Sequence, residues 1–503
     1  MLISLNLPWA RAALPLALVG AFTAVLAGCS MAPVYQRPAL AVPANFKEAT
    51  PAAAEQGIWL PAQHGAANAP AAALPQDWWT VFGDATLNQL QTQAAAGSPS
   101  VEQAVARLRS AQALVATSRA AQSPTLGLSG SGSRARSNTT NSSSGTQSSR
   151  IAESYSLGLN ASWELDLWGR LSGQVDANRL SAQARQDDLD AARLSAQATV
   201  AQTYFSLRAA EAQMLLLQDT LKAYQQSLQL TQNRYRAGVA SSADVAQAES
   251  QYKSTQAQLL ASQTTRAQYE HALAALQGLA PASFSLPVTG QLPVPPQVPA
   301  MLASTLLEQR PDIASAERSV AAANAQVGVA RAAYFPSLTL SAAGGYAGST
   351  LSNLLSAPNL FWSLGPALAQ TLFDGGARSA AVESARAALD LAGATYKQTV
   401  LTALQEVEDN LVAATNLAQQ QQVQTEAVAA AEKALTVVSN QYQAGTVAYL
   451  NVLTAQTTML SAQSSLISAQ NLRLAAINTL LKNVAGRWTP LSAVAQDKGV
   501  ATP

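Results

Sequence analysis

The chain has 503 residues and a formal net charge of +1; 12% of its residues are charged and 48% are hydrophobic. This profile excludes a nucleic-acid-binding protein, which carries a basic stripe, and a disordered chain, which is poor in apolar residues. Ala, Gln, Leu and Ser dominate, which favours long helices packed through small side chains. No apolar run after residue 29 is long enough for a transmembrane helix, so a membrane crossing would require strands in a closed barrel.

The N-terminus has the features of a signal peptide. Arg11 precedes an apolar run over 12–27 that ends in small residues. Small residues followed by Cys29, the only cysteine of the chain, resemble the bacterial lipobox. The resemblance implies removal of 1–28 and covalent lipid on Cys29, S-diacylglycerol and N-palmitoyl, and Ser30 favours sorting to the outer membrane. The alternative is an ordinary secreted chain with a free thiol, which is unusual in an oxidising compartment.

The chain contains an internal repeat. The segment 233–238 matches 440–445 at a shift of 207 positions, and 119–124 matches 331–336 at a shift of 212. The halves therefore differ by about five residues between these anchors, where a loop tolerates insertion. The predicted organisation is a signal peptide over 1–28, a lipid-anchored extended segment over 29–80, a first repeat over 81–280, a linker over 281–299, a second repeat over 300–485 and a tail over 486–503.

Each repeat is predicted to contain a helix, two strands, a very long helix and a returning helix, in that order. The first repeat has helices over 99–121, 170–237 and 242–277 and strands over 124–133 and 154–167. The second has helices over 311–333, 377–444 and 448–484 and strands over 336–346 and 361–373. The long helices measure about 100 Å at 1.5 Å per residue. The shorter helices of a repeat add up to nearly that length, so we expect them to stack end to end alongside the long helix.

The strands alternate with a period of two. Over 155–167 the odd positions are apolar and the even positions are polar, including Glu164 and Asp166. This pattern fits a barrel wall with lipid on one side and water on the other, although a soluble sandwich alternates in the same way. Four strands are too few to close a membrane barrel, so several chains must contribute. Pro366 predicts a bulge in the last strand, and the Ser/Asn-rich run 138–149 predicts an exposed loop.

Aromatic residues near the predicted strand ends are candidates for belts at the two lipid–water boundaries. They are Trp163, Trp168, Tyr334, Phe335, Phe361 and Trp362. Aromatic residues are also common in ordinary cores, so the alternative is packing.

No enzyme, cofactor or metal site is predicted. The two histidines, His64 and His271, are far apart in sequence and lack a cluster of further ligands. The Gly-Ser run 130–133 lies in a predicted strand and does not precede a helix, which argues against a nucleotide site.

Several motifs together resemble one family. Two tandem halves with the order helix, strand, strand, helix, helix resemble the outer-membrane efflux proteins, the TolC and OprM group. Arg310-Pro311-Asp312-Ile313 followed by the run 330–338 is characteristic of the NodT-like lipoprotein branch, and the Tyr-x-Ala-Gly turns at 235–238 and 442–445 also match. The resemblance covers essentially the whole chain.

The resemblance implies a mainly α protein with a membrane β-barrel. Three chains would form a 12-stranded barrel in the outer membrane and a 12-helix α-barrel projecting into the periplasm. The implied partners are two further copies of the chain, a periplasmic adaptor, an inner-membrane transporter and outer-membrane lipid. Nucleic acid is not among them.

The resemblance also implies functional residues at the ends of the long helices. The adaptor is expected to contact the turns at Arg234, Tyr235, Arg236, Gly238, Tyr442, Gln443 and Gly445. The periplasmic gate is expected at Leu450, Asn451 and Thr454, with Asp244 as a source of charge. Relatives commonly place aspartate at one or both of the last two ring positions, so Asn451 and Thr454 predict weaker cation selectivity; the alternative is helix–helix packing. The turn glycines also have a purely structural explanation, since glycine closes helix ends easily.

The function implied is a passive exit duct of a tripartite efflux pump for drugs or other small molecules. The first alternative is the outer-membrane duct of a type I protein secretion system. A second alternative is a structural periplasmic lipoprotein, which the alternating strands disfavour.

Overall fold

The computed structural model describes residues 31–40, 46–47, 77–140, 147–296 and 310–484. The first repeat consists of α1 (Ala85–Gly97), α2 (Pro99–Ala120), β1 (Thr125–Thr140), β2 (Gln147–Leu165), α3 (Arg170–Arg236) and α4 (Ser242–Leu276). The second consists of α5 (Pro311–Ala332), β3 (Ser337–Gly348), β4 (Leu360–Ala369), α6 (Ala377–Gln443) and α7 (Tyr449–Val484). The long helices α3 and α6 have 67 residues each. The observed ends of α2 to α7 differ from the predicted ends by no more than one residue.

The four strands form one antiparallel sheet in the order β1-β2-β3-β4. Their pairing runs one residue to one residue throughout, so the bulge predicted at Pro366 is wrong. Pro366 faces Leu340 in regular register, and β4 is an edge strand of this chain, where proline is tolerated.

Two strand predictions are corrected. The predicted loop over 138–149 is shorter, because β1 continues to Thr140 and β2 begins at Gln147. The last strand ends at Ala369 rather than 373, because Ala369 pairs with Ser337, the first residue of β3. Beyond that pair β3 offers no further partner.

The chain divides into two compact units. Among the described residues, the sheet unit takes those within Met1–Pro38, Arg109–Ala184 and Glu317–Thr395, and the helical unit takes those within Ala39–Leu108, Arg185–Ala316 and Tyr396–Pro503. Among the described helices, none is both long and apolar enough to cross a membrane.

The core of the helical unit includes residues at the boundary between the predicted extended segment, 29–80, and the predicted first repeat, 81–280. Trp78–Phe82 forms a short 3-10 helix, and both Trp78 and Phe82 are buried. The Phe82 ring lies 4.8 Å from that of Phe205 on α3. The 3-10 helix leads into α1, which was not predicted; Asp84 caps α1 by accepting hydrogen bonds from the N–H groups of Thr86 and Leu87. The extended segment is therefore shorter than 29–80.

The short helices of the first repeat meet as predicted. α4 ends at Leu276 and α2 begins at Pro99. A Cβ atom on Gly278 would collide with the Gly97 carbonyl, so the start of α2 and the end of α4 are in close contact. The linker continues from there, and its Phe284, Leu286 and Leu292 pack against the core of the helical unit.

Candidate functional sites

The turns that end the long helices have the same backbone geometry in both repeats. After α3, Gly238 has φ of 76° and its N–H donates to the Tyr235 carbonyl, while the N–H of Val239 donates to the Arg234 carbonyl. After α6, Gly445 has φ of 78° and makes the equivalent bond to Tyr442. Positive φ favours glycine because residues with a Cβ are strained there.

The structure brings the two turns together in the helical unit. A small apolar cluster contains Ala248 of α4, Tyr442 of α6, and Tyr449 and Val452 of α7. The rings of Tyr442 and Tyr449 lie 5.6 Å apart. The Tyr449 hydroxyl lies 3.3 Å from the Ser227 hydroxyl on α3. All four helices that flank the turns therefore contribute to one bundle.

Arg234 joins the two turns. Its guanidinium carbon lies 4.7 Å from the centre of the Tyr442 ring, and its Nη1 donates a hydrogen bond of 3.1 Å to the Tyr442 carbonyl. A cation over an aromatic ring contributes about 0.5–2 kcal/mol, depending on desolvation. Arg234 thus has a contact inside the chain in addition to its predicted place at the turn.

The tyrosines related by the repeat have different environments. Tyr235 is 50% exposed, whereas Tyr442 is 6% exposed. Tyr442 was predicted to contact an adaptor, but its side chain is covered by its own chain. Of the predicted contact residues, Gln443 and Gly445 are exposed at the second turn, and Tyr235, Arg236 and Gly238 are exposed at the first.

The three predicted gate residues of α7 lie on one exposed face of its first two turns. Leu450 is 55% exposed, and Asn451 and Thr454 are also exposed, while the neighbouring Tyr449 and Val452 are buried. The Thr454 hydroxyl donates to the Leu450 carbonyl at 2.9 Å. This face leaves an apolar side chain, an amide and a hydroxyl available for contacts outside the chain.

Asp244 has a structural task that the sequence prediction missed. Its carboxylate accepts a hydrogen bond of 2.9 Å from the Ser241 N–H, and the Asp244 N–H donates to the Ser241 hydroxyl. This capping box starts α4. Burial raises the pKa of Tyr449, the Ser227 hydroxyl opposes that shift, and the negative charge of Asp244 adds to it.

The two faces of the sheet differ in chemistry. One face is apolar, and its side chains include Leu126, Leu128, Leu157, Leu159, Trp163, Leu338, Leu340, Trp362, Leu364 and Leu368. The other face carries Ser, Thr, Asn and Gly, for example Ser131 and Ser156, whose hydroxyls are 2.8 Å apart. Leu126 and Leu128 are more than 70% exposed, so this chain leaves the apolar face uncovered.

The aromatic candidates divide into two groups. At the helix end of the sheet, Trp168 stacks on Phe335 at 4.8 Å and donates to the Pro336 carbonyl, and Arg378 lies 5.4 Å from the centre of the Tyr334 ring. Trp163 donates to the Gln122 carbonyl. Toward the hairpin end, Phe361 and Trp362 pair with Gly345 and Gly344, and Trp362 is 79% exposed.

The two carboxylates predicted on the polar face are bound by the start of α3. Glu164 accepts hydrogen bonds from the Arg170 guanidinium, the shortest at 2.7 Å. Asp166 accepts from the N–H groups of Leu171 and Ser172. Burial alone raises the pKa of Asp166, but these hydrogen bonds outweigh burial and hold the pKa below its ordinary value.

A buried charge network fastens the linker to the helical unit, and sequence analysis did not predict it. Arg208 and Glu211 of α3 are 2% and 0% exposed and form an ion pair of 2.7 Å. Arg208 also donates to the Pro287 carbonyl, and Glu211 accepts from the N–H groups of Thr289 and Gly290. A polar pair three residues apart in a helix was the available signal.

The last residues considered from the sequence are the two histidines, Cys29 and the C-terminal tail. His271 is exposed on α4, and no group of three metal-binding side chains occurs among the described residues. Cys29, His64 and the tail lie outside the described residues.

Comparisons with known proteins agree with this architecture. A family model described as outer membrane efflux protein matches residues 90–279 and 302–486, nearly the extents of the two predicted repeats. The chain is 31% identical over 481 residues to the probable efflux pump outer membrane protein TtgC of Pseudomonas putida, covering 95% of this chain and 97% of that protein. It is also 31% identical over 438 residues to the cation efflux system protein CusC of Escherichia coli, covering 86% and 91%.

A solved structure gives the same fold. The outer-membrane channel OprN superposes with a TM-score of 0.78 at 29% identity, covering 92% of this chain and 100% of that chain.

Proposed function

The chain belongs to the outer membrane efflux protein family, and we propose that it is the passive exit duct of a tripartite pump for drugs or other small molecules. The observation that carries the proposal is the four-stranded sheet with one uncovered apolar face and one polar face. Such a sheet suits a wall between lipid and a water-filled channel.

The proposed assembly is a homotrimer with a 12-stranded barrel and a 12-helix periplasmic tunnel. In the chain itself β1 and β4 are sheet edges with unpaired backbone groups, and such edges are costly unless paired or covered. Pairing β1 of one copy with β4 of the next satisfies both edges, and three copies supply twelve strands.

The proposed working parts lie at the turns. The exposed side chains of Tyr235, Arg236 and Gln443 are available to a periplasmic adaptor. Leu450, Asn451 and Thr454 would face the threefold axis and narrow the periplasmic entrance. An apolar ring of Leu450 excludes ions by dewetting, while an amide and a hydroxyl select cations less than carboxylates do. An inner-membrane transporter supplies the energy in this arrangement.

The lipid anchor is part of the proposal. Diacylglycerol on the Cys29 sulfur and palmitate on its amino group would hold the N-terminus at the membrane, since two or more acyl chains give stable anchoring. Residues 31–40 fit a path along the protein, because the Asn324 side chain donates a hydrogen bond of 2.8 Å to the Pro33 carbonyl. Labelled palmitate should be incorporated into wild type and not into Cys29→Ala.

Export of small molecules is preferred over secretion of polypeptides. The names of TtgC and CusC refer to efflux pumps and to cation efflux, and neither refers to protein secretion.

The duct can be tested with one added thiol. Cys29 is the only native cysteine, so Asn451→Cys places a single new thiol at the proposed axis. In a deletion strain, wild type should restore resistance to antibiotics and dyes. Oxidised Asn451→Cys should form interchain dimers and lose that resistance, and a reductant should recover it.

The matched control is Lys222→Cys, an exposed position on α3, which should neither cross-link nor change resistance. Absence of cross-linked dimers at position 451, or full resistance despite cross-linking, would overturn the proposed entrance. Unchanged susceptibility of the deletion strain would overturn drug efflux.

A further inference from the structure

The charged residues of the sheet all lie in the first hairpin. From Ala332 to Phe373, which includes the whole second hairpin, no Asp, Glu, Lys or Arg occurs. In the first hairpin, Glu164 is neutralised by Arg170 at the end beside the helices. Toward the hairpin turn the charged residues are Arg134, Arg136, Arg150 and Glu153. The net charge of the sheet is therefore positive and lies at the end away from the helices.

Two of these arginines continue the apolar face. Arg134 and Arg136 follow Leu126 and Leu128 at even positions of β1, so they share the face of those leucines. The apolar face extends from Leu165 to Tyr155 along β2, which is about 33 Å along the strand at 3.3 Å per residue. At a tilt of about 40° this corresponds to the roughly 25 Å apolar band of membrane strands. The two arginines lie just past its edge.

The side chains at this edge are available to a ligand. The Arg134 side chain is 70% exposed, and its Nε lies 3.4 Å from Glu153, an exposed ion pair that contributes little energy. Arg136 donates to the Ser149 hydroxyl at 3.0 Å. Residues two apart on a strand lie about 7 Å apart, so both guanidinium groups can reach one headgroup. Guanidinium forks match phosphate oxygens with paired hydrogen bonds.

We propose that Arg134 and Arg136 bind the phosphate groups of an anionic lipid whose acyl chains lie against the apolar face. The inference rests on the proposed function, which places this end of the sheet at the outer leaflet of the outer membrane. The juxtaposition of an exposed apolar surface and a positive edge fits an amphiphile of this chemistry, and basic side chains at a membrane boundary attract anionic headgroups.

The test measures lipid retention by the full-length protein. Wild type and Arg134→Ser/Arg136→Ser are reconstituted in phosphatidylethanolamine nanodiscs containing a small fraction of bisphosphorylated lipid A. Lipid retained after mild detergent extraction is counted by native mass spectrometry. Wild type should retain more lipid A than dephosphorylated lipid A. In the double variant the ratio of the two retained lipids should be at least about tenfold lower. Equal retention of the two lipid forms by wild type would overturn the proposal.

Two further variants sharpen the result. Arg107→Ser/Arg109→Ser removes two exposed arginines at the same spacing from α2 and should leave retention unchanged. Glu153→Gln removes the carboxylate that competes with lipid phosphate for Arg134 and should raise the retention of lipid A. Lower retention of lipid A by this variant would contradict the assignment. Displacement of lipid A by millimolar inorganic phosphate would show a site for the free anion and overturn the lipid assignment.

Membrane fractionation separates this inference from the proposed function. Wild type absent from the outer-membrane fraction would defeat the proposed function, and the lipid site with it. Wild type present in that fraction without a preference for phosphorylated lipid would defeat the lipid site alone. A heat-modifiable trimer band from the double variant shows that lost retention does not reflect misfolding.

Discussion

The guanidinium of Arg234 lies over the ring of Tyr442, with 4.7 Å between its central carbon and the ring centre. Arg234 is in the last turn of α3 and Tyr442 is in the last turn of α6. One side chain therefore connects the ends of the two long helices of a single chain. If the proposed entrance opens by moving one helical hairpin away from the other, this contact must break.

Replacing Arg234 with alanine should favour the open entrance. The change removes the cation–ring contact and the hydrogen bond to the Tyr442 carbonyl, together about 1.5–3 kcal/mol. Planar bilayer recordings should show a larger conductance or longer open periods than wild type.

The matched control for that experiment is Arg236→Ala. Arg236 is exposed and donates a hydrogen bond to Asn233 of its own helix. Its removal, like that of Arg234, deletes one positive charge at the turn. It should leave the conductance close to wild type. Identical recordings for Arg234→Ala and wild type would show that the contact does not hold the entrance closed.

The turns could be predicted from sequence and the contact between them could not. Gly238 and Gly445 repeat at a fixed shift, and positive φ is a local demand that glycine meets. Arg234 and Tyr442 are 208 positions apart, and the repeat equivalent of the buried Tyr442 is the exposed Tyr235. The sequence repeat predicts the same environment for both tyrosines, but tertiary packing buries Tyr442 and leaves Tyr235 exposed.

The limits of prediction were similar elsewhere. The alternation in β2 predicted the two faces of the sheet, but Thr139 and Thr140 were assigned to a loop because their neighbours are low in complexity. Pairing with β2 extends the strand there, since tertiary context overrides weak β propensity. Trp78 and Phe82 belong to the core, but they follow a Pro/Ala-rich stretch whose composition does not predict a buried segment.

Carboxylates at the proposed entrance should raise its cation selectivity. Asn451 and Thr454 are exposed on α7, and Asn451→Asp/Thr454→Asp would place two carboxylates per chain at the axis. A ring of acidic side chains favours cations. The reversal potential in a potassium chloride gradient should shift toward that of potassium.

The control for the selectivity experiment is Gln229→Asp, which adds a carboxylate on the exposed surface of α3. Its reversal potential should match wild type. A double variant at positions 451 and 454 that is no more selective than wild type would mean that these side chains do not face the conduction path.

The buried ion pair in the helical unit should be important for stability. Arg208→Ala leaves the Glu211 carboxylate, which is 0% exposed, without its closest partner. Removing one member of a buried pair costs about 3–5 kcal/mol when the remaining charge is left alone. Here Arg266, whose Nε lies 3.4 Å from Glu211, remains as a second cation, so this range is an upper limit, and the melting temperature should still fall. Lys222→Ala breaks an exposed pair with Asp219 and should cost less than about 1 kcal/mol. Equal melting temperatures for the two variants would contradict the assigned role.

Tyr204 should make the stability of the protein sensitive to alkaline pH. Burial, together with the hydrogen bond of 2.6 Å that its hydroxyl donates to Asp84, raises the pKa of Tyr204 to about 12, although Arg208 opposes the shift. Between the ordinary pKa of about 10 and this value, the unfolded tyrosine loses its proton while the folded tyrosine keeps it. The folded state then binds more protons, so stability falls as pH rises through this window.

The linked loss is at most about 3 kcal/mol, because each pKa unit corresponds to about 1.4 kcal/mol. Tyr204→Phe has no hydroxyl proton to release, so it should be less stable than wild type at neutral pH but lose less stability between pH 10 and 12. Denaturant unfolding at a series of alkaline pH values measures both slopes. Parallel slopes would show that the proton on Tyr204 does not contribute, because every other titrating group is common to both proteins.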